Sequence, residues 1–323
     1  RSSVQILLEA TPGGHRTRRF LDTDIVGPFS GRTIHVRTNA LGYRGGPIGP
    51  KPPDEYRILV LGDSITFSAD TPEDETYPFI LEQLLRENRP NVRVLNAGVY
   101  GAGLREELLV LHETGLLTQP DMVVVGLFLN DAARSRMFPI PRGLTRYSAL
   151  ARRLAESRLA NEALHECRAE YERLSGKPFP QRNFSEDAWR TDPAAFEKRV
   201  AEAAADWGRA WFQWAWDEMR PDLEIMRQLG KQHGFEFVVA LFPVSIQIES
   251  ELLDDRPQQM FRSMMVELDV RHIDLLTPLR DAYQRHKRPL AFDHAHLRLE
   301  GNRIAAAALA SVLSDLMSRG ESE

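Results

Sequence analysis

The chain has 323 residues, of which 42% are hydrophobic and 27% charged, a balance that is typical of a globular protein and excludes a fibrous or largely disordered one. Its formal net charge is -5 and its acidic and basic residues are interspersed, so nucleic acid is not expected as a partner. No apolar run is long enough to predict a membrane span, and the single cysteine, Cys167, predicts no disulfide within the chain.

The first residues predict an arm that precedes the folded domain. Residues 1–55 are rich in Gly, Pro, Arg and Thr and show little hydrophobic periodicity. Within them, the segment 45–55, GGPIGPKPPDE, is typical of an extended, turn-rich lead-in. We therefore expect an N-terminal arm over residues 1–55 and a single domain over residues 56–323.

The predicted domain begins with alternating strands and helices. A short apolar run from Ile58 to Leu61 ends at Gly62, which predicts a buried parallel strand. The elements predicted to follow are a helix over 76–88, a strand over 91–98, a helix over 105–115 and a strand over 121–131. Because parallel strands need crossover helices, this order predicts a doubly wound α/β sheet with helices on both faces.

The second half of the chain is expected to complete the sheet. Residues 235–245 and 270–276 predict two more strands, and residues 301–318 predict a terminal helix that packs on the sheet. The apolar stripe predicted for this helix consists of Ile304, Ala308, Val312 and Leu316. Residues 132–220 are mostly helical in pattern and charged, and we interpret them as an insertion over the carboxyl edge of the sheet.

Polar residues follow three of the predicted strands. The first strand is followed by Asp63 and Ser64, the second by the segment 96–101, NAGVYG, and the third by Asn130. A further polar segment, DHAH at 293–296, lies just before the terminal helix. Because ligands of open parallel sheets bind outside the carboxyl ends of the strands, these segments form the candidate site.

The residue types in these segments suit nucleophilic catalysis. A serine hydroxyl needs a neighbouring base, which makes Ser64 the candidate nucleophile and His296 the candidate base. A carboxylate must orient the imidazole, and a DxxH turn can supply it from Asp293. The candidate oxyanion-hole donors are the backbone N–H groups of Ser64 and Gly101 and the side-chain amide of Asn130.

These segments resemble the blocks of the SGNH hydrolases, also called the GDSL esterase and lipase family. GDSIT matches the nucleophile block at Ser64, and NAGVYGAG matches the glycine block at Gly101. FLND matches the asparagine block at Asn130, and DHAH matches the terminal acid and base at Asp293 and His296. The four blocks occur in the order expected of that family.

The resemblance, which spans residues 55–312 apart from the insertion, implies a flavodoxin-like three-layer α/β/α sandwich. It also implies no metal, no organic cofactor, and hydrolysis of small-molecule, lipid or carbohydrate esters, including O-acetyl groups. The segments TNALGYRG (38–45) and PDMVVVGLFLND are similar to a bacterial branch whose members often carry an N-terminal anchor. Because the chain begins at Arg1, an anchor or signal could have been removed, so we expect an extracytoplasmic location, with a cytoplasmic one as the alternative.

One residue departs from the family pattern. The family usually has Gly two positions before the Asn of its third block, where this chain has Phe128, and Gly126 lies two residues too early. We expect Phe128 to alter the loop or to shape the acyl pocket.

Three tryptophans recur in the predicted insertion. Trp207, Trp211 and Trp214 lie at i, i+4 and i+7, which predicts one helical face. Core packing is the default interpretation of such a stripe. The alternative is a wall that binds sugar or acyl groups, which makes the three tryptophans, together with Phe128, candidate substrate-pocket residues.

Other chemistries fit these segments less well. A metal site of DHAH with Asp63 lacks a second carboxylate or His pair at ligand spacing. The segment GVYGAG lacks the G-x-G-x-x-G order of a dinucleotide site. We expect Asp63 and Asp131 to accept hydrogen bonds from the backbone, and His294 to lie at the rim of the site.

The sequence therefore predicts a serine esterase that acts through an acyl-enzyme. Two alternatives stay open. An acyltransferase would pass the same acyl group to a sugar or another alcohol, and a non-catalytic glycan-binding protein would use the tryptophans as its platform. The intact Ser-His-Asp set favours an enzyme over the binding protein.

Overall fold

The computed structural model describes residues 3–11, 14–131, 172–173, 176–178, 185–206 and 209–319. The strands are β1 (Leu8–Thr11), β2 (Gly14–Thr17), β3 (Asp22–Val26), β4 (Thr33–Arg37), β5 (Tyr56–Gly62), β6 (Val92–Asn96), β7 (Met122–Phe128), β8 (Glu236–Phe242) and β9 (Arg271–Asp274). The helices are α1 (Ser3–Leu7), α2 (Ser64–Phe67), α3 (Tyr77–Arg86), α4 (Leu104–Val110), α5 (Pro193–Asp206), α6 (Gln213–His233), α7 (Ser245–Glu249), α8 (Arg256–Glu267), α9 (Leu276–His286) and α10 (Leu299–Arg319). Cys167, Trp207 and residues 132–171 of the predicted insertion lie outside the described residues.

Five parallel strands form the central sheet, in the order β6-β5-β7-β8-β9. Counted from the first strand of this sheet, the order is the 2-1-3-4-5 arrangement of flavodoxin-like folds. Each of the five strands that the apolar runs predict is present, so the predicted α/β sheet is confirmed. The register places Gly62, at the end of β5, opposite Gly126 of β7.

The central strands are buried because their side chains are apolar in both directions. All seven residues of β7 are buried, and so are six of the seven residues of β8. The edge strand β6 is only partly buried. A strand covered on both faces needs a continuous apolar run rather than an alternating one, which is why the segment MVVVGLF predicts a strand without showing periodicity.

Helices cover both faces of the sheet. Helix α10 contacts α3 and α9, whereas α6 contacts α4, α8 and strand β8. Because crossovers between parallel strands are right-handed, these two groups lie on opposite faces and give the predicted three layers. Of the helices within the described residues, none has both the length and the apolarity that a bilayer span requires.

The terminal helix α10 packs through a different face from the predicted one. Its buried apolar side chains are Ala305, Ala306, Leu309, Leu313 and Met317, and Val312 of the predicted stripe is 37% exposed. Ile304, Ala308 and Leu316 of that stripe are partly buried and pack against the main core. The predicted stripe therefore lies at the border of the buried face, because the neighbouring i, i+4 stripe, with two leucines and a methionine, buries more area.

Residues 1–55 contain two antiparallel hairpins, β1-β2 and β3-β4. Burial alternates along β4, with Ile34 and Val36 buried and His35 exposed. These inward side chains share an apolar cluster with Phe67, which ends α2, and Val99, which follows β6. The hairpins therefore pack on the carboxyl edge of the sheet, and the predicted division of the chain at residue 55 stays a prediction.

The predicted helical stripe of tryptophans does not form. Helix α6 begins at Gln213, and Arg209 has a φ of 62°, which a right-handed helix does not contain. Trp211 therefore lies in a turn and Trp214 in the first turn of α6. Trp211 is buried and Trp214 is partly buried against the main core, so core packing holds for both residues.

Candidate active site

Ser64 lies where β5 leads into the one-turn helix α2. The carboxylate of Asp63 caps this helix by accepting a hydrogen bond from the Ile65 amide at 2.8 Å, as expected of a backbone acceptor. Gly62 has a φ of 153°, a conformation that side-chain-bearing residues rarely adopt. The sharp turn presents the Ser64 hydroxyl at the carboxyl end of the sheet.

Gly126 makes room for the side chains that hold α2 on the sheet. A Cβ at this position would lie 2.6 Å from the Tyr77 hydroxyl and 2.8 Å from Thr66 Oγ1. These two hydroxyls are joined by a hydrogen bond of 2.7 Å. Gly126, which lies two residues before the position where the family has its glycine, thus has a packing role beside α2, the helix that begins at Ser64.

The glycine block packs against the same helix. The Asn96 side chain accepts the Gly98 amide at 3.1 Å and donates to the Thr66 carbonyl at 2.8 Å. A Cβ on Gly98 would lie 2.4 Å from the Phe67 amide nitrogen, so only glycine fits this contact. Gly101, a predicted oxyanion donor, follows in the same loop with a φ of 71°.

The DHAH segment forms a tight turn before α10. Asp293 Oδ1 accepts hydrogen bonds from the amides of Ala295 at 2.9 Å and His296 at 2.7 Å. The Phe292 amide donates to the His296 carbonyl at 2.7 Å and closes the turn. One carboxylate therefore shapes the turn that carries the candidate base.

The three predicted catalytic side chains lie within hydrogen-bond distance of one another. His296 Nε2 is 2.9 Å from Ser64 Oγ, and His296 Nδ1 is 3.0 Å from each carboxylate oxygen of Asp293. In the tautomer with Nδ1 protonated, Nε2 is free to accept the serine proton. His294, which the sequence places at the rim of the site, has its Nδ1 3.4 Å from Asp293 Oδ2.

The charges around His296 favour its protonated form. Burial lowers the pKa of His296, but the hydrogen bond and charge of Asp293, with the charges of Asp63 and Asp70, outweigh this and raise the pKa above its ordinary value. Burial raises the pKa of Asp293, but the hydrogen bond and charge of His296 bring that pKa down to about 2. Asp293 is therefore ionised across the neutral range and can stabilise an imidazolium.

Three carboxyl groups, those of Asp63, Glu107 and Asp131, are buried beside the candidate site. Burial raises the pKa of Asp63 to about 6, against the effect of its hydrogen bonds and of His296. Burial also raises the pKa values of Glu107 and Asp131 well above the ordinary range, and repulsion by neighbouring carboxylates adds to this for both residues. Asp131 Oδ2 accepts the Phe128 amide at 2.6 Å, as expected. Among the described residues, no group of three His, Cys, Asp or Glu side chains could hold a metal ion.

Phe128 and Asn130 lie at the end of β7. The Phe128 side chain is buried in the core, with its ring centroid 6.5 Å from that of His294. Asn130 is partly exposed, and its Oδ1 is buried without a hydrogen-bond partner among the described residues. Phe128 thus contacts the acid–base turn, and its predicted influence on the acyl pocket stays a prediction.

Two aromatic rings beside the candidate base were not identified from the sequence. Phe29, in the turn between β3 and β4, lies with its ring centroid 4.3 Å from that of His296, at an angle of 20°. Tyr100 lies 6.2 Å from the same imidazole, at 9°. The available signal was the turn-forming segment GPFSGR at 27–32, flanked by two short alternating segments.

The segment TNALGYRG (38–45) places the buried side chain of Arg44 against the loop that follows Ser64 and α2. Asn39 Oδ1 accepts the Tyr43 amide at 3.1 Å and shapes the turn before Arg44. The Arg44 guanidinium donates hydrogen bonds to three carbonyl oxygens of the loop after Ser64, those of Phe67, Ser68 and Thr71. The sequence shows only that this segment is similar to a bacterial branch of the family. The structure adds that its arginine holds the loop beside the candidate site.

Two cavities are relevant to the predicted substrate-pocket residues. One, of about 660 Å³, has Asp293 and His294 in its lining, but neither Ser64 nor His296, together with Trp189 and polar and charged side chains of residues 185–202. The other, of about 730 Å³, is bordered by Trp211, and its described lining contains no predicted catalytic residue. The candidate pocket residue Trp211 is therefore not in the cavity next to Asp293.

Part of the chain is similar to a curated enzyme. Over 91 residues the chain is 34% identical to an arylesterase of Vibrio mimicus. This stretch is 28% of the chain and 43% of the arylesterase, so the chain spans less than half the length of the curated relative it matches.

Solved structures that resemble the chain include two acetyl xylan esterases. One is AlAXEase, at 15% identity, 79% coverage of this chain, 98% of that chain and a TM-score of 0.45. The other is a catalytic mutant of Axe2 from Geobacillus stearothermophilus, at 16% identity, 81% and 94% coverage and a TM-score of 0.45.

The family match covers most of the chain. Residues 58–309 match the GDSL-like lipase/acylhydrolase family, from within β5 to within α10. This range includes the four sequence blocks and the three side chains that meet at the carboxyl edge of the sheet. The chain belongs to the GDSL-like lipase/acylhydrolase family.

Proposed function

We propose that the protein is a serine esterase in which Ser64 is the nucleophile, His296 the base and Asp293 the residue that orients the base. The observation that carries the proposal is the pair of contacts at His296, 2.9 Å from Nε2 to Ser64 Oγ and 3.0 Å from Nδ1 to Asp293. These distances lie in the range that proton transfer requires.

The proposed reaction passes through an acyl-enzyme. As Ser64 Oγ bonds to the ester carbonyl carbon, its proton moves to His296 Nε2, and the carbonyl oxygen becomes an oxyanion. Collapse of this intermediate breaks the ester bond, and His296 returns the proton to the leaving alcohol. A water molecule then gives its proton to His296 and attacks the acyl-enzyme, which releases the acid and restores Ser64.

The proposed oxyanion hole consists of the Ser64 and Gly101 amides and the Asn130 side chain. The left-handed backbone at Gly101 and the position of Asn130 just after β7 support this assignment. Loss of one such donor typically costs about 2.7–4 kcal/mol of transition-state stabilisation, so Asn130→Ala should lower kcat far more than it changes KM.

The proposed substrate is an ester of a polar, hydroxylated alcohol, such as an O-acetylated carbohydrate. The cavity next to Asp293 and His294 supports this class, because polar and charged side chains from residues 185–202 dominate its lining. Because neither Ser64 nor His296 is in its lining, this cavity supports the class of the alcohol and not the length of the acyl chain.

The proposal is tested by hydrolysis of p-nitrophenyl esters from acetate to octanoate. Ser64→Ala should lower kcat/KM by about 10³-fold or more, because the nucleophile is lost while the fold is kept. Ser318→Ala, a substitution of an exposed serine on the terminal helix, provides the matched control. Full activity in Ser64→Ala would refute the assignment.

A product assay separates hydrolysis from acyl transfer. With an acetylated sugar as donor and a second sugar as acceptor, an esterase releases free acetate, and a transferase forms the acylated acceptor. We expect free acetate in amounts equal to the donor consumed. Labelling of Ser64 by a fluorophosphonate in the folded protein should accompany either activity, and its absence would favour a binding protein.

A further inference from the structure

The ring of Phe29 lies over the imidazole of His296. The two centroids are 4.3 Å apart and the planes differ by 20°, which is a stacked arrangement. Phe29 belongs to the turn between β3 and β4, in the part of the sequence that predicts only an arm. A hairpin outside the matched family range therefore contributes a side chain to the surroundings of the candidate base.

A buried aspartate holds the turn that carries Phe29. The amides of Phe29 and Ser30 both donate to Asp70 Oδ1, at 2.8 and 2.7 Å. Asp70 is buried and lies in the loop that follows α2, so the nucleophile and this anchor share one stretch of chain. A Cβ on Gly27 would lie 2.8 Å from the same Asp70 oxygen, so glycine allows the turn to approach it.

The two stacked rings differ in exposure. His296 is 8% exposed, whereas Phe29 is 43% exposed. A phenylalanine that served mainly to fill a core would be buried, and this one keeps part of its ring in solvent. Its position is explained instead by what the ring covers, which is one face of the imidazole.

We propose that Phe29 is a positioning residue, which holds the His296 imidazole in the plane where Nε2 meets Ser64 and keeps water from one face of the ring. Asp293 contacts Nδ1 and Ser64 contacts Nε2, and these two contacts in the ring plane leave the imidazole free to rotate about the line between its two nitrogens. A parallel ring at van der Waals distance removes this freedom. The kinetic consequence rests on the proposed esterase function, whereas the stack itself does not.

The kinetic test compares Phe29→Ala with Phe29→Tyr in p-nitrophenyl acetate hydrolysis. Because an aromatic pair contributes modestly, Phe29→Ala should lower kcat by about three- to tenfold with KM changed by less than about twofold. Phe29→Tyr keeps the ring and should restore kcat. Phe20→Ala is the matched control, since Phe20 is a 75% exposed phenylalanine of the same arm.

A second measurement detects the stacking of Phe29 on His296 independently of enzyme activity. The Cε1–H signal of His296 in a proton–carbon NMR spectrum, identified by its loss in His296→Gln, is shielded by a ring that lies over it. Phe29→Ala should move this signal downfield, and Phe29→Tyr should leave it in place. The Ser64→Ala variant can be used for the same spectra, so the result does not depend on the proposed nucleophile.

Each outcome decides the proposal. A shifted His296 signal with a lower kcat in Phe29→Ala, restored in Phe29→Tyr and absent in Phe20→Ala, supports it. A shifted signal with unchanged kcat, an unchanged signal, or an equal loss in Phe20→Ala overturns it. If wild type and Ser64→Ala hydrolyse esters equally, the proposed function fails, and the NMR result still shows whether Phe29 orients His296.

Discussion

The Asp293 carboxylate accepts hydrogen bonds from two backbone amides as well as from the His296 ring. The hydrogen bonds from these two amides fix the carboxylate within its own turn. The imidazole therefore has a rigid partner rather than a freely rotating one. Against the effect of burial, the hydrogen bond and charge of His296 bring the pKa of Asp293 down to about 2, and the hydrogen bond and charge of Asp293 in turn raise the pKa of His296. Asp293 therefore contributes to both the orientation and the basicity of the candidate base.

Asp293→Asn should change both the rate and its pH dependence. A neutral amide no longer stabilises the imidazolium, so we expect kcat to fall by about 10³- to 10⁴-fold. The base must be neutral, so wild-type kcat/KM should rise with pH through a pKa above 6.5, the ordinary value for histidine. Removal of the Asp293 charge lowers the pKa of His296, so this rise should move to lower pH.

The pH–rate profile of kcat/KM in the two proteins is the measurement. The charged groups that remain near His296 are Asp63, Asp70 and His294, and they are the same in both variants. A profile of Asp293→Asn that moves to higher pH would contradict the assigned source of the shift.

At the scale of elements, the terminal helix shows what a side-chain pattern can and cannot predict. Its existence and length follow from the apolar composition of residues 301–318, but its orientation does not. Two adjacent stripes on α10 are apolar, and the structure buries the one that contains Leu309 and Leu313. Only the shape of the opposing surface on α3 decides between them.

Leu309→Ala should therefore destabilise the protein and Val312→Ala should not. Leu309 is fully buried, so its truncation leaves a cavity and should cost about 2–5 kcal/mol of unfolding free energy. Val312, which belongs to the predicted stripe, is 37% exposed, so its truncation removes fewer core contacts and should cost less than about 0.5 kcal/mol. Urea denaturation of the two variants measures this difference. Equal losses of unfolding free energy would contradict the assignment of the buried face of α10.

The sheet strands could be predicted because a strand covered on both faces must be apolar throughout, as β7 is. The hairpins of the arm could not, because β3 and β4 are short and bury only alternate residues, with charged side chains between them. The tryptophan spacing predicts a helix that does not form, because Arg209, which has a left-handed backbone conformation, interrupts it.

The residues of the candidate site likewise differ in whether the sequence could predict them. Ser64, Asp293 and His296 could be named because their chemistry requires particular residue types after particular elements. Phe29 could not, because a ring that covers an imidazole leaves no local pattern in the sequence.

Across the whole molecule, Arg44 connects the arm to the nucleophile loop. Its buried guanidinium donates to the carbonyl oxygens of Phe67 and Thr71, both at 2.6 Å, and to that of Ser68. Burial lowers the pKa of Arg44 to about 10, which still leaves it charged at neutral pH. Arg44, a residue of the arm, thus supplies the hydrogen-bond donors for three carbonyl oxygens of the loop that follows Ser64.

Arg44→Met should weaken both the fold and the site. The three carbonyl oxygens lose charged donors, and we expect a loss of about 2–4 kcal/mol in unfolding free energy. Arg37→Met is the matched control, because Arg37 is half-exposed and its ion pair with Glu73 spans 4.0 Å. Equal unfolding midpoints for Arg44→Met and wild type would show that this connection carries no stability.

The hydrogen bond between Ser64 and His296 joins residues that are 232 positions apart. Because chains are made from their N-terminus, Ser64 is synthesised long before Asp293 and His296. Under the roles proposed above, a product interrupted anywhere before residue 293 holds a serine that has no base, and it should show no serine-dependent hydrolysis.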